Sequence, residues 1–107
     1  MKVTILGYWG GFPSAGGATM GTLVSTQEGE ILLDCGSGVA SRLFFYTNIE
    51  SISGVIISHL HYDHMADLGV LQYATANALR NKRTKDKLKV YAPAKPEGMW
   101  ETIHSEN

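Results

Sequence analysis

Three of the four histidines in this chain fall within six positions, His59, His61 and His64 in the stretch SHLHYDHMAD, with Asp63 among them. Neutral imidazoles and a carboxylate are donors that suit zinc, and also iron or manganese. Their spacing divides them into two pairs. Residues two apart in an extended segment point to the same side, so His59 and His61 can close on one ion. Asp63 and His64 fall where the chain turns into a helix, so they point elsewhere and can serve a second ion. A lone histidine at a helix start is ordinarily a solvated side chain, and Asp63 alone would be an ordinary helix cap. Neither reading accounts for the full pattern H-x-H-x-D-H.

The elements around the stretch must hold it. Met1 to Leu6 reads as a strand, and Gly7 to Gly21 as a long loop with Gly7, Gly10, Gly11, Gly16, Gly17 and Gly21. Thr22 to Thr26 and Ile31 to Asp34 read as strands joined by the tight turn Gln27-Glu28-Gly29-Glu30, a hairpin. Gly36-Ser37-Gly38 opens a helix through about Tyr46, and Ser51 to Gly54 is a turn. Val55-Ile56-Ile57 is a short, wholly apolar strand, as expected where both faces are buried. The histidines follow its carboxyl end, where open α/β sheets place their ligands. A helix from about Met65 to Leu79 carries Leu68, Leu71, Ala74 and Ala78 on one face. Leu88 to Tyr91 is a further strand stopped by Ala92-Pro93, and Pro96 opens a last helix with Trp100 and Ile103 inward. The pattern is α/β with a mixed sheet.

Bulk properties narrow the function classes. The 107 residues have the length of one small domain, and 44% hydrophobic with 18% charged residues is globular composition. A net charge of −1 gives no whole-protein reason to expect nucleic acid or an anionic membrane as partner, and DNA is not expected. Cys35 is the single cysteine, so no disulfide forms within the chain. The start, MKVTILGYWGG, has too short an apolar run for a signal peptide, and no run approaches a membrane span. The expected location is cytoplasmic.

HLHYDH resembles the metal-binding signature of the metallo-β-lactamase superfamily. LLDCGSG, residues 32 to 38, resembles the earlier aspartate-glycine motif of that family, and GYWGGFPSAGGATMGTLV and VYAP are similar to the ribonuclease Z and phosphodiesterase-like branch. The resemblance implies a four-layer αβ/βα fold, of which residues 1 to 107 would be about the N-terminal half. It implies two divalent metal ions, zinc by preference with manganese or iron as alternatives. His59 and His61 would ligate the first, Asp63 and His64 the second. The implied function is hydrolysis by a dinuclear-metal-activated water, on a phosphodiester in RNA or a nucleotide. The physics agrees: a metal lowers the pKa of bound water toward neutral, and two ions about 3.5 to 4 Å apart clamp the attacking and substrate oxygens. Asp63 is then also the candidate catalytic residue, placed to orient the nucleophile or accept its proton. His61 stands where oxygen-reducing diiron relatives commonly carry glutamate, which favours a hydrolase. The alternatives are thioesters or other small esters, or a truncated module that binds metal or a partner without catalysis. A homodimer is compatible with this reading.

Each ion still needs ligands. The resemblance implies a further histidine, a bridging aspartate and a last histidine downstream. His104, Asp67 and Asp86 are poor candidates: His104 follows a helical stretch near the end, and Asp67 in a first helical turn is favourable for the helix dipole alone. Residues 1 to 107 alone are therefore expected to be inactive, and the full-length parent active.

The remaining features have modest expectations. Asp34, at a strand end, holds a metal ligand or its loop from behind. Cys35 is a small buried residue rather than a nucleophile. The glycines of the loop permit close backbone approach beside the metals. Tyr8, Trp9 and Phe12 either line a substrate mouth or cover core. RNKRTKDKLK, residues 80 to 89, is a solvated connection rather than a phosphate contact.

Overall fold

A computed structural model of the chain describes residues 1 to 93. The helix expected from Pro96, with Trp100, Ile103 and His104, lies outside the described residues. Five strands form one sheet in the order β1-β2-β3-β4-β5: β1 Lys2–Gly7, β2 Gly21–Thr26, β3 Gly29–Leu33, β4 Ile52–Ile56 and β5 Val90–Tyr91. The first three pair antiparallel, and β4 and β5 join in parallel, so the sheet is mixed as expected.

The β2–β3 hairpin turns on Gln27-Glu28 alone, tighter than expected, because Thr26 Oγ1 accepts from Glu28 N at 3.1 Å and donates to the Gly29 carbonyl at 3.1 Å. Helix α1 runs only from Val39 to Leu43, ending before the expected Tyr46. The segment expected as the turn Ser51 to Gly54 is instead a short 3₁₀ turn, Ile49–Ser51, running straight into β4.

The long helix is also in two pieces, α2 Tyr62–Met65 and α3 Leu68–Arg80. Asp67 breaks it. Its N–H leaves the helical ladder and donates to the Cys35 carbonyl at 3.0 Å. Its carboxylate caps the neighbouring α1, accepting from Ala40 N at 3.1 Å, rather than serving its own helix. This corrects the expectation of an uninterrupted helix with Asp67 in its first turn.

One face of the sheet is closed. Leu6, Leu23, Leu32 and Val55 join Val39, Ala40 and Leu43 of α1 and Leu68, Leu71 and Ala78 of α3 in a single core. Each fully buried leucine contributes about 1.5 to 3 kcal/mol of transfer free energy. Thr75, buried among them, satisfies its hydroxyl by donating to the Leu71 carbonyl at 2.9 Å. The other face is bare among the described residues. Cross-strand partners line up Ile5, Thr22, Leu33, Ile56 and Tyr91 in one row and Val3, Val24 and Ile31 in the next. Ile56, expected to be buried with Val55 and Ile57, is 42% exposed, whereas Val55 is fully buried. The layers described are one sheet and one set of helices.

Candidate metal centre

β4 ends at Ile56, and the chain leaves the sheet through Ile57 and Ser58 into the histidines. Ile57 N still donates to the Tyr91 carbonyl at 2.8 Å, so the segment before the motif is anchored in the sheet. His61 has extended backbone just before α2, and both His59 and His61 are exposed. Their rings lie 6.0 Å apart between centroids with planes within 23°, side by side as the two-residue spacing requires. Asp63 and His64 sit within α2, and their side chains meet each other: His64 Nε2 lies 3.5 Å from Asp63 Oδ2.

The loop after β3 supports the motif from below. Cys35 N donates to the His64 carbonyl at 2.7 Å, and Gly36 N to the Met20 carbonyl at 2.9 Å. Met20 N in turn donates to the Asp63 carbonyl at 3.1 Å. Three segments distant in sequence are thus laced together by main-chain bonds. The lacing needs Gly36, since a Cβ there would collide with the Thr19 hydroxyl and the Asp63 carbonyl. The glycine-rich loop closes over the side. Gly11, with a left-handed φ of 75°, donates its N–H to Asp63 Oδ2 at 3.2 Å. Gly10 and Gly16 face open space, so close approach does not explain every glycine of that loop.

Asp34 sits at the centre. It is 8% exposed and adopts a left-handed φ of 64°, strained for a residue with a side chain. That conformation turns its carboxylate under the histidines. Oδ1 accepts from Ser58 N at 2.7 Å, and Oδ2 from the Ser58 hydroxyl at 2.7 Å and from His64 Nδ1 at 2.9 Å. With Nδ1–H committed to Asp34, His64 turns Nε2 toward the Asp63 carboxylate. At 3.5 Å the two atoms can be joined by a proton on Nε2 or by a cation between them. Two donors bound tetrahedrally at roughly 2.1 Å from one zinc lie about 3.4 Å apart, so the pair fits a metal ion.

Electrostatics favour the charged form of Asp63. The Gly11 hydrogen bond and the neighbouring His64 and His61 hold its carboxyl below the usual range, against a smaller effect of burial. Cys35 is the reverse. Burial, with Asp67 and Asp34 nearby, pushes its thiol far up, so it stays protonated and is no nucleophile.

The His59 ring lies near both others, 6.0 Å from His61 and 4.8 Å from His64 between centroids. Among the described residues no group of three or more His, Cys, Asp or Glu side chains is arranged to hold one ion. Asp67 is committed to Ala40, and Asp86 lies with Lys87 and Lys89 at the amino end of β4, away from the histidines. Tyr8, Trp9 and Phe12 are exposed rather than core, on the loop that reaches Asp63. Of the basic stretch from Arg80 to Lys89, Arg83 pairs with Glu50 at 3.1 Å and Lys87 lines a cavity with Ser51 and Ser53, at the amino end of β4. Ser58, Thr19 and Arg42 escaped the sequence reading. Thr19 Oγ1 accepts from Ser37 N at 2.7 Å, and Arg42 ties the glycine-rich loop by donating to the Leu6 and Gly16 carbonyls at 3.0 and 2.6 Å. Only Ser58, adjacent to the motif, had a positional signal.

Comparisons with known proteins bear on the family and the fold. The family model described as "Metallo-beta-lactamase superfamily" matches residues 15–99. A "Probable metallo-hydrolase YhfI" of Bacillus subtilis is 50% identical over 74 residues, 69% of this chain and 30% of that protein. A "Ribonuclease Z" of Methanopyrus kandleri is 36% identical over 94 residues, 87% of this chain and 32% of that protein. The crystal structure of Bacillus subtilis YhfI superposes with a TM-score of 0.90 at 38% identity, covering 94% of this chain and 41% of that one. Human tRNase Z, short form, superposes at 0.76 with 25% identity, covering 98% of this chain and 40% of that one. The chain therefore spans less than half the length of these relatives. On the family match and the shared fold, the chain belongs to the metallo-β-lactamase superfamily, and its relatives there include ribonuclease Z proteins.

Proposed function

We propose that the whole protein is a metal-dependent hydrolase of phosphodiesters, in RNA or a nucleotide, and that residues 1 to 107 form the N-terminal part of its domain. One observation carries the reading. Asp34 fixes His64 so that its Nε2 faces Asp63 Oδ2 at 3.5 Å, two groups that can both donate lone pairs to one divalent ion. His64 and Asp63 would hold one divalent ion, and His59 and His61 the other, with zinc suited to these donors. Bound there, two such ions would supply a water acidified toward neutrality and positive charge to clamp the substrate oxygens. Asp63, held ionised by the Gly11 N–H, would help to hold an ion and would orient a water there by accepting its hydrogen bond. The exposed Tyr8, Trp9 and Phe12 on the adjoining loop can line the mouth through which a base or sugar approaches.

The remaining ligands would come from outside the described residues, and the bare face with Ile5, Leu33 and Ile56 would receive the layers that carry them. The ribonuclease Z relatives favour RNA as substrate; the metallo-hydrolase relative leaves thioesters and small esters as the alternative outcome. Elemental analysis of the full protein should find up to two divalent ions, lost in part in His61→Ala. Assayed beside a thioester, bis-p-nitrophenyl phosphate and a 3′-extended tRNA should be cleaved, the wild type exceeding His61→Ala by a factor of at least about 100. Purified protein that neither contains nor binds a divalent ion would sink the proposal. Turnover of the thioester alone would overturn its choice of substrate.

A further inference from the structure

Ser58 has no role in the reading above, yet its hydroxyl touches more of the site than any other side chain. Oγ lies 2.7 Å from Asp34 Oδ2, 3.0 Å from Asp34 Oδ1 and 3.0 Å from His59 Nδ1. A hydroxyl has one proton to give and two lone pairs with which to accept. A carboxylate has none to give, so an O···O separation of 2.7 Å requires the Ser58 proton to lie on the line to Asp34. The hydroxyl then has only lone pairs for His59, and the 3.0 Å contact is satisfied when Nδ1 of His59 carries the proton. His64 Nδ1 is 3.4 Å from the same oxygen but 2.9 Å from Asp34 Oδ2, and belongs to the carboxylate.

We propose that Ser58 is a positioning residue that fixes the tautomer of His59, relaying the Asp34 carboxylate so that one acid orients two histidines. His64 is oriented directly and His59 through the hydroxyl. Each is left with its proton on Nδ1 and the lone pair of Nε2 outward. Ser58 N, donating to Asp34 Oδ1 at 2.7 Å, locks the serine backbone to the same acid. The relay spans the two proposed pairs, since His59 belongs to the first pair of donors and His64 to the second. A free neutral imidazole is a mixture of tautomers, so a histidine without a partner at Nδ1 presents Nε2 correctly only part of the time. Partners behind metal-bound histidines are typically worth 10- to 100-fold in metal affinity.

The tautomer claim stands on the hydrogen bonds alone; its consequence for metal rests on the proposed function. Two measurements on the full protein separate them. Long-range proton–nitrogen correlation spectra of the metal-free protein, with histidine ¹⁵N-labelled, read the tautomers without any metal. In the wild type both His59 and His64 should be protonated on Nδ1. Ser58→Ala should shift His59 toward the Nε2-protonated form while His64 keeps its form, and Ser58→Thr should restore His59. Zinc affinity by chelator competition should fall about 10- to 100-fold in Ser58→Ala and recover in Ser58→Thr. A wild-type His59 protonated on Nε2 overturns the relay, and this reading needs no variant to fold. An unchanged His59 tautomer in Ser58→Ala overturns it equally. A shifted tautomer with unchanged zinc affinity overturns its role toward metal. A wild type that shows the expected tautomers but binds no zinc supports the relay while refuting the proposed function.

Discussion

The two ends of strand β4 are both rich in polar and charged side chains, and they use them in opposite ways. At the carboxyl end, Asp34 is nearly buried and accepts from Ser58 N, the Ser58 hydroxyl and His64 Nδ1, while Asp63 accepts from Gly11 N. At the amino end, Lys82, Lys85, Lys87 and Lys89 are exposed, and Arg83 meets Glu50 at 3.1 Å with half its side chain in water. A cavity of about 230 Å³ lies there too, lined by Ser51, Ser53, Thr84, Asp86 and Lys87, far from the histidines. The amino end has the higher density of charge. The carboxyl end has the orientation. What separates them is whether backbone and buried acceptors fix each side chain in direction, because chemistry at a metal needs lone pairs that point.

The largest effect that would sharpen this contrast is at Asp34. Asp34→Ala leaves Ser58 N and His64 Nδ1 without an acceptor, and puts a methyl in a left-handed conformation. Unfolding in urea should show a loss of about 2 to 4 kcal/mol. Asp34→Asn, which tolerates that φ and keeps one acceptor, should fall between. A loss in Asp34→Ala below about 0.5 kcal/mol, within the range of ordinary surface changes, would mean that the carboxyl end is not held by this network.

Gly36→Ala comes next. Its Cβ would collide with the Thr19 hydroxyl and the Asp63 carbonyl, so the lacing between the loop and the motif must shift. We expect a loss of about 1 to 3 kcal/mol by urea titration, together with altered His64 chemical shifts. Stability and spectra identical to wild type would show that the loop and motif are not in contact there.

Cys35 gives a smaller effect that depends on pH. Burial, with Asp67 and Asp34 nearby, raises its thiol in the folded state, while the unfolded thiol titrates near 9.0. Above that pH the unfolded chain releases a proton that the folded chain keeps. Stability from this group is therefore complete below pH 9.0 and declines as pH rises, by at most about 1.4 kcal/mol per pH unit. Cys35→Ala should flatten that part of the pH–stability curve, and alkylation of the wild type should be slow until denaturant is added. Rapid alkylation under native conditions at pH 8 would contradict the burial.

The smallest effect is expected at the other end. Arg83→Ala should change stability by less than about 0.5 kcal/mol, since it removes one half-exposed ion pair. Its zinc affinity should equal that of wild type. A loss of metal binding there would erase the distinction between the two ends.

Much of the molecule was legible in the residues. The hairpin, the mixed sheet and the position of the histidines after β4 followed from apolar runs and turn residues, which are local properties. Two errors share one origin. The helix expected through Asp67 is broken because Asp67 bonds to Cys35 and Ala40, residues distant in sequence. Ile56 was expected to be buried because its neighbours are apolar, yet it is exposed on the face bare among the described residues. Periodicity reports which residues are apolar and cannot report what covers them.

The sequence by itself determined the donor types, their spacing along the chain, and the family that this order identifies. These depend only on residue identity and order. Tertiary structure alone decided what stands at Nδ1 of His59 and of His64, which no local pattern reveals. Those partners, Asp34 directly and Ser58 as its relay, are brought beneath the motif by the parallel pairing of β3 with β4.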